Sequence, residues 1–527
     1  MEGGAGVESS RARRARLSRA HRPASVACVK TPAFALCLLI ATVGQAAAPD
    51  VRAPSIVDAA LAALGGRPHL ESFASWEVAG TGRENLSAEV QGLAPEVPTW
   101  RPHEEQVTVD ARTSAVAWQR RTPRNDQSLR WRRLIYRPDS SGFVDFVAGY
   151  GALRPSPAAE ARRRGLIRRI PHLLLLEVAS RAQFVDLSER KVAGLLRDQL
   201  TAVLDGDTLI LTFTRAPVLL HAVEFRRDQP TRGEVAIRWT WENWKKDASL
   251  GYVPRGHRIE VDGVIFQQVT YSRFGAPAPD LGARMTANDA GPGMMGSVSM
   301  GASPDTGLQA TGEVAPGVHV ERFGGFTVMA VEFPHFLVAI EAPEVSLGLE
   351  AIPPERPAVH PADEFLVRLR ARFPARPVRY VVISHHHGDH MGGVAAFAAD
   401  GATVIVAPGH RAAALRALGG AGAVETVADR RTITDGAQTL EILNVGKNPH
   451  TDENLLIWLP RERIAFQGDL FYDDPMGPFP PSGRGRMNRF TAHWLKGHGI
   501  EPRAIYGVHN DGASGPKRLA QALTLPE

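Results

Sequence analysis

Cysteine is almost missing from this chain. Of 527 residues two are cysteines, Cys28 and Cys37, and both lie in the first 48. The rest can build neither a disulfide nor a thiolate metal site, so a metal would have to be held by imidazole and carboxylate. Residues 33–41 (AFALCLLIA) form an apolar run too short to span a bilayer as a permanent helix. An excess of one charge is also missing once the chain is read in parts. Seven of its 61 basic residues and two of its 56 acidic ones fall in residues 1–48, leaving 54 of each for the body. A formally neutral body does not support the phosphate-seeking surface that the overall charge of +5 suggests, so no nucleic-acid partner is expected.

The basic excess belongs to a targeting pattern. Lys30 precedes the apolar run, and Ala46-Ala47-Ala48-Pro49 follows it. A basic flank, a short apolar stretch and an A-x-A site make a secretory signal, cleaved near Ala48, with a membrane-anchored form as the minor reading. The expected product is exported, periplasmic or secreted.

A chain of this length is too long for one ordinary core. Residues 1–48 are read as signal peptide and 49–275 as a strand-rich α+β domain of unassigned role. A small-residue stretch, 276–312, is read as a flexible linker, and 313–527 as a second domain. In the first domain the patterning predicts a helix over 56–64 and one long helix over 166–182. Strands are predicted over 107–110, 114–119, 208–214, 233–241 and 258–271. The tryptophans Trp239, Trp241 and Trp244 are read as packing residues. In the second domain strands and helices alternate: strands over 326–332, 336–342, 378–384, 403–407, 455–459 and 464–466, helices over 361–373, 394–399 and 410–418.

The apolar strand over 378–384 runs into Ser384-His385-His386-His387-Gly388-Asp389-His390. Neutral nitrogen and hard oxygen donors crowded at a strand's end suit Zn(II) first, and Fe or Mn as well. Alternate residues His385 and His387 can face one ion, while Asp389 and His390 turn toward a second. Four ligands do not complete two sites. Further donors follow, each after a strand: His450 in NPHTDEN, Asp469 in QGDL and His509 in YGVHN.

This set resembles the metallo-β-lactamase superfamily, whose H-x-H-x-D-H signature is matched at every position, over about residue 314 to the C-terminus. The resemblance implies an αββα sandwich with the site at the rim of its two sheets. It implies that His385, His387 and His450 bind one metal, that Asp389, His390 and His509 bind the other, and that Asp469 bridges them. Two such cations lower the pKa of a shared water, supply hydroxide and polarise the scissile oxygen, and Asp389 orients that hydroxide. Two departures from the family pattern remove no ligand: Pro449 precedes the fourth histidine, and Asn510 follows His509. Glu341 stands where relatives often show aspartate and is read as structural support.

Several neighbours are expected to be bystanders: His386 and His410 as packing residues, His335 and His360 as loop or edge histidines, Asp452 and Glu453 as a turn cap or support for His450. Arg484 and Arg486 are read as part of a solvated loop, with anion contact as the lesser reading. Aspartate at the bridging position resembles the thioesterase, lactonase and phosphodiesterase branches rather than the β-lactamases. The expected activity is hydrolysis of an ester, lactone, thioester or related bond in a small-molecule substrate. The alternatives are a mononuclear-iron oxidoreductase resembling persulfide dioxygenases and a non-catalytic envelope metal-binding protein.

Overall fold

A computed structural model describes residues 52–85, 100–123, 129–138, 141–145, 149–153, 157–285, 306, 309–323, 326–344, 361–473, 479–481, 484–510 and 512–526. The leader expected over 1–48 and the centre of the expected linker lie outside these residues. Among the described residues no helix is long and apolar enough to cross a membrane.

The first part of the chain forms a thirteen-stranded sheet whose strand pairs are all antiparallel. Six strands, from Ser75–Asn85 to Gly149–Leu153, run outward in order to one edge. The chain then crosses to the opposite edge and returns inward from Gln183–Val192, until Val264–Gly275 pairs with Ser75–Asn85. The crossover contains two helices, Pro157–Ile167 and Pro171–Arg181, where sequence patterning predicted one. Pro171 explains the break, because it lacks an N–H and suits a helix's first turn rather than its interior. Leu166, Ile170, Leu174, Leu175 and Val178 sit in one core with Trp76, Trp118, Trp239 and Trp241. The tryptophans are thus packing residues, as expected.

The strand expected over 258–271 is a hairpin, Gly256–Val261 and Val264–Gly275. Asp262 and Gly263 both take positive φ, 49° and 79°, as a tight hairpin turn requires, and Asp-Gly is its signature. The start of the expected linker also has structure: Leu281–Arg284 is a short helix.

The second part is a four-layer α/β arrangement. A seven-stranded sheet and a five-stranded sheet face each other across a core that includes Val320, Ile340, Val382, Ile442, Ile457 and Phe466. Helices Pro361–Arg372, Val394–Ala399 and Arg411–Ala417 cover the outer face of the first sheet. Gly485–Gly497 and Pro516–Leu523 cover that of the second. This is the αββα sandwich, preceded by a strand-rich region. In the first sheet Val378–Val382 pairs in parallel with both neighbours, and in the second Ile464–Gln467 pairs in parallel with Ala504–Gly507. Parallel strands end on the same side, so both sheets deliver loops to one rim.

Candidate metal centre

All seven candidate donors meet at that rim. His385 and His387 follow Val378–Val382, Asp389 and His390 lie on the short helix Gly388–Met391, Asp469 follows Ile464–Gln467, and His509 follows Ala504–Gly507. His450 comes from the loop before Leu455–Leu459. The donors fall into two groups, His385, His387, His450 and Asp469 in one, Asp389, His390 and His509 in the other.

In the first group three imidazole nitrogens point at one another. His385 Nε2 lies 2.8 Å from His387 Nδ1, and His450 Nε2 lies 3.1 Å from each. Asp469 joins the groups: Oδ2 is 3.3 Å from His450 Nε2, while Oδ1 is 3.2 Å from His390 Nε2 and 3.4 Å from His509 Nε2. His509 Nε2 is also 3.2 Å from Asp389 Oδ2. His385 and His390 are fully buried, and His509 is the most open, 29% exposed.

The electrostatics of the cluster are lopsided. Burial and then the neighbouring imidazoles hold His385 and His387 well below the usual histidine range. Burial takes His450 down to about 4 against the pull of Asp469. Burial also opposes charge on His390, yet Asp469, Asp389 and Glu341 outweigh it and raise that histidine. Three neutral nitrogens converging on one point, beside two buried carboxylates, form a cradle for cations. Asp389 Oδ1 is buried without a hydrogen-bond partner among the described residues, and a metal would satisfy it.

The supporting residues explain the local folding. Gly468 must lack a side chain, since a Cβ there would stand 2.3 Å from Ser384 Oγ. Ser384 Oγ lies 3.0 Å from His385 Nδ1, which leaves Nε2 to face the cluster. Gln467 accepts from the backbone N–H groups of Leu470 and Phe471 and donates to Phe471 O, closing the turn that carries Asp469. Asn510, one of the two departures from the family pattern, is buried, donates to Phe471 O and accepts from the Asp473 N–H. Glu341 is the support it was read to be, with Oε2 3.3 Å from His390 Nδ1 and Oε1 accepting from the Ser384 N–H.

One reading needs correction. The turn at His450 is capped by Asn448, whose Oδ1 accepts from the N–H of His450 and of Thr451. Glu453 instead binds the Gly409 N–H and the Asn444 side chain, tying neighbouring loops together. Asparagine followed by Pro449 is itself an Asx-turn signal that sequence reading passed over. The His386 ring packs 4.7 Å from that of His410, outside both groups. His335 is exposed, and His360 lies outside the described residues. Arg486 is exposed, but Arg484 is half-buried with its guanidinium carbon 4.0 Å above the Tyr472 ring. A further grouping, Glu313, His319 and Glu332, already has its cation, because Arg376 binds Glu332.

Sheet order and donor set together define a strand-rich α/β protein with a candidate metal-binding centre between two sheets. Residues 358–522 match the family model of the metallo-beta-lactamase superfamily, and this part of the chain belongs to that superfamily. Among solved structures, the chain is similar to a metallo-beta-lactamase from Pontibacter korlensis, at 21% identity over 40% of this chain and 92% of that one, with a TM-score of 0.30. It is also similar to FIM-1 from Pseudomonas aeruginosa in its mono-zinc form (19%, 40% and 90%, TM-score 0.29). A third is the enzyme from Hirschia baltica (15%, 40% and 99%, TM-score 0.29). No curated protein matches.

Proposed function

We propose that the protein is an exported hydrolase holding two divalent metal ions, zinc first among the candidates, and cleaving an ester, lactone, thioester or related bond of a small molecule. The carrying observation is the placement of Asp469, which offers one oxygen to the His450 side and the other to His390 and His509. A carboxylate that faces two donor groups at once is what a bridged pair of cations needs. His385, His387 and His450 would hold one ion, and Asp389, His390 and His509 the other. Bound there, the pair supplies Lewis acidity that acidifies water and polarises a carbonyl or phosphoryl oxygen. The chain's own part is to fix the donors on strand ends, to bury them from bulk water, and to offer Asp389 as a proton acceptor beside the open His509. Export rests on the basic flank, apolar run and Ala46-Ala47-Ala48 of the leader.

The test is a metal count on the purified protein followed by a substrate panel: aryl esters, lactones, thioesters, phosphodiesters and a chromogenic β-lactam. Two metals per chain and turnover of one class, lost with chelator and restored with zinc, support the reading. A metal-replete protein silent on the whole panel overturns the hydrolase.

A further inference from the structure

At one end of the thirteen-stranded sheet four strand ends come together. They are the start of Leu195–Leu204, the end of Asp207–Phe213, the start of Leu220–Gln229 and the end of Gly233–Glu242. Residues from these ends line a cavity of about 680 Å³, a volume within the range of small-molecule sites. Part of its lining is apolar. Leu195 and Leu196, at the tip of the hairpin with Gln183–Val192, are 58% and 49% exposed, and Leu219 and Trp244 line the cavity with them. Two large apolar neighbours left open beside one cavity form a patch, and a patch marks a contact better than single exposed residues do.

The rest of the lining is charged, and its charges do not cancel. Arg215 pairs with Asp198 and Glu189, and Glu242 pairs with Arg258 at 2.9 Å. Arg197 lines the cavity too, and it has no hydrogen-bond or ion-pair partner among the described residues. His221 brings no counter-charge. Burial, then Arg197, Arg238 and Arg258, take it down to about 4, so it is neutral near pH 7. A guanidinium without an acceptor, next to uncovered leucines, is completed by a ligand that carries both an anion and an apolar tail. The guanidinium fork matches the two oxygens of a carboxylate, and covering the leucines removes apolar surface from water.

We propose that this cavity binds one free molecule of a medium- or long-chain carboxylate, its head on Arg197 and its tail along Leu195, Leu196 and Trp244. One unpaired cation suits a monoanion. The site lies in the strand-rich region alone, so it stands or falls apart from the metal centre.

Isothermal titration of the full chain with decanoate, decanol and acetate reads head and tail separately. Decanoate should bind once per chain, decanol about tenfold more weakly, and acetate not measurably. Arg197→Gln should weaken decanoate by about tenfold and leave decanol unchanged. Arg197→Lys keeps the charge and should recover part of that loss. Leu196→Ser, at a largely exposed position that does not endanger folding, should weaken decanoate and decanol alike. Decanol bound as tightly as decanoate, decanoate bound equally by Arg197→Gln, or no uptake of decanoate overturns the site. Sedimentation with vesicles of phosphatidylcholine and oleate, without uptake of free decanoate, would overturn it in favour of a lipid surface.

Discussion

The thirteen-stranded sheet and the αββα sandwich both bury ionisable groups, and they do so in opposite ways. In the sheet, charge meets its complement. Glu105 is bound by Arg169, Glu84 by Arg101 and Arg120, and Arg168 by Glu177 at 2.8 Å and by Asp205. Burial opposes ionisation of Glu105, yet Arg169 and the nearby histidines outweigh it and hold its pKa down to about 2. In the sandwich the complement is incomplete: three imidazole nitrogens face one another with Asp469 on their flank, and Asp389 and Asp469 share His390 and His509. A buried network that neutralises itself is explained by the fold alone. A buried network that does not neutralise itself calls for a ligand from outside.

The comparison breaks most sharply at Asp469. In Asp469→Ala the two donor groups lose their shared carboxylate, so the protein should stay folded but bind fewer metals, and hydrolysis should fall by about a thousandfold or more. Metal analysis and turnover on the same sample check this, and unchanged hydrolysis would remove Asp469 from the mechanism. Acid should loosen the sheet as well as the site. His103, His172 and His257 are each lowered to about 4, burial being the main cause. Unfolded, they take protons near pH 6.5, so the stability they lend is complete above that pH and is lost as pH falls toward 4. The loss is on the order of 3 kcal/mol for each. Hydrogen exchange in Gly233–Glu242 and Gly256–Val261 should therefore speed up between pH 6.5 and 4. Protection that holds across that range would mean that the histidines accept protons without cost.

The complementary pairing in the sheet makes a further demand. Arg169→Met leaves Glu105 buried and unpaired, which should cost about 3 kcal/mol in urea unfolding. Adding Glu105→Leu should recover most of that loss, because the pair neutralises itself and serves no ligand. A double variant no more stable than the single one would mean that the network does more than fill the fold.

The sandwich was far more legible in the sequence than the sheet. Donors at strand ends are few and chemically distinctive, so His385 through His509 could be named as candidates, and the structure brings them together. The thirteen-stranded sheet depends on long-range pairing, Ser75–Asn85 with Val264–Gly275 above all, and no local periodicity reports that contact. Within it, Pro171 and Asp262-Gly263 were readable signals that the longer helical and strand patterns around them concealed. The Asn448 cap lay further out of reach, because it competes with Asp452 and Glu453 as equally plausible turn residues.

The smallest effect sharpens the comparison, because it concerns a place where the sandwich sets a buried carboxylate behind a donor. Glu341 is fully buried and holds φ at 73°, a conformation that costs a non-glycine residue about 1 kcal/mol or more. Its Oε2 faces His390 Nδ1 and turns Nε2 of that ring toward Asp469. Glu341→Gln keeps the size and the acceptor but removes the charge, so it should weaken metal binding by about tenfold at the His390 group alone. Competition titration against a chelator, resolving two affinities, reads this directly. If both affinities fall together, Glu341 acts on the whole rim through the Ser384 N–H rather than on His390. If the His390 group alone loses affinity, a negative charge behind the ring is what makes that histidine a ligand, and the strain at residue 341 is the cost of keeping it there.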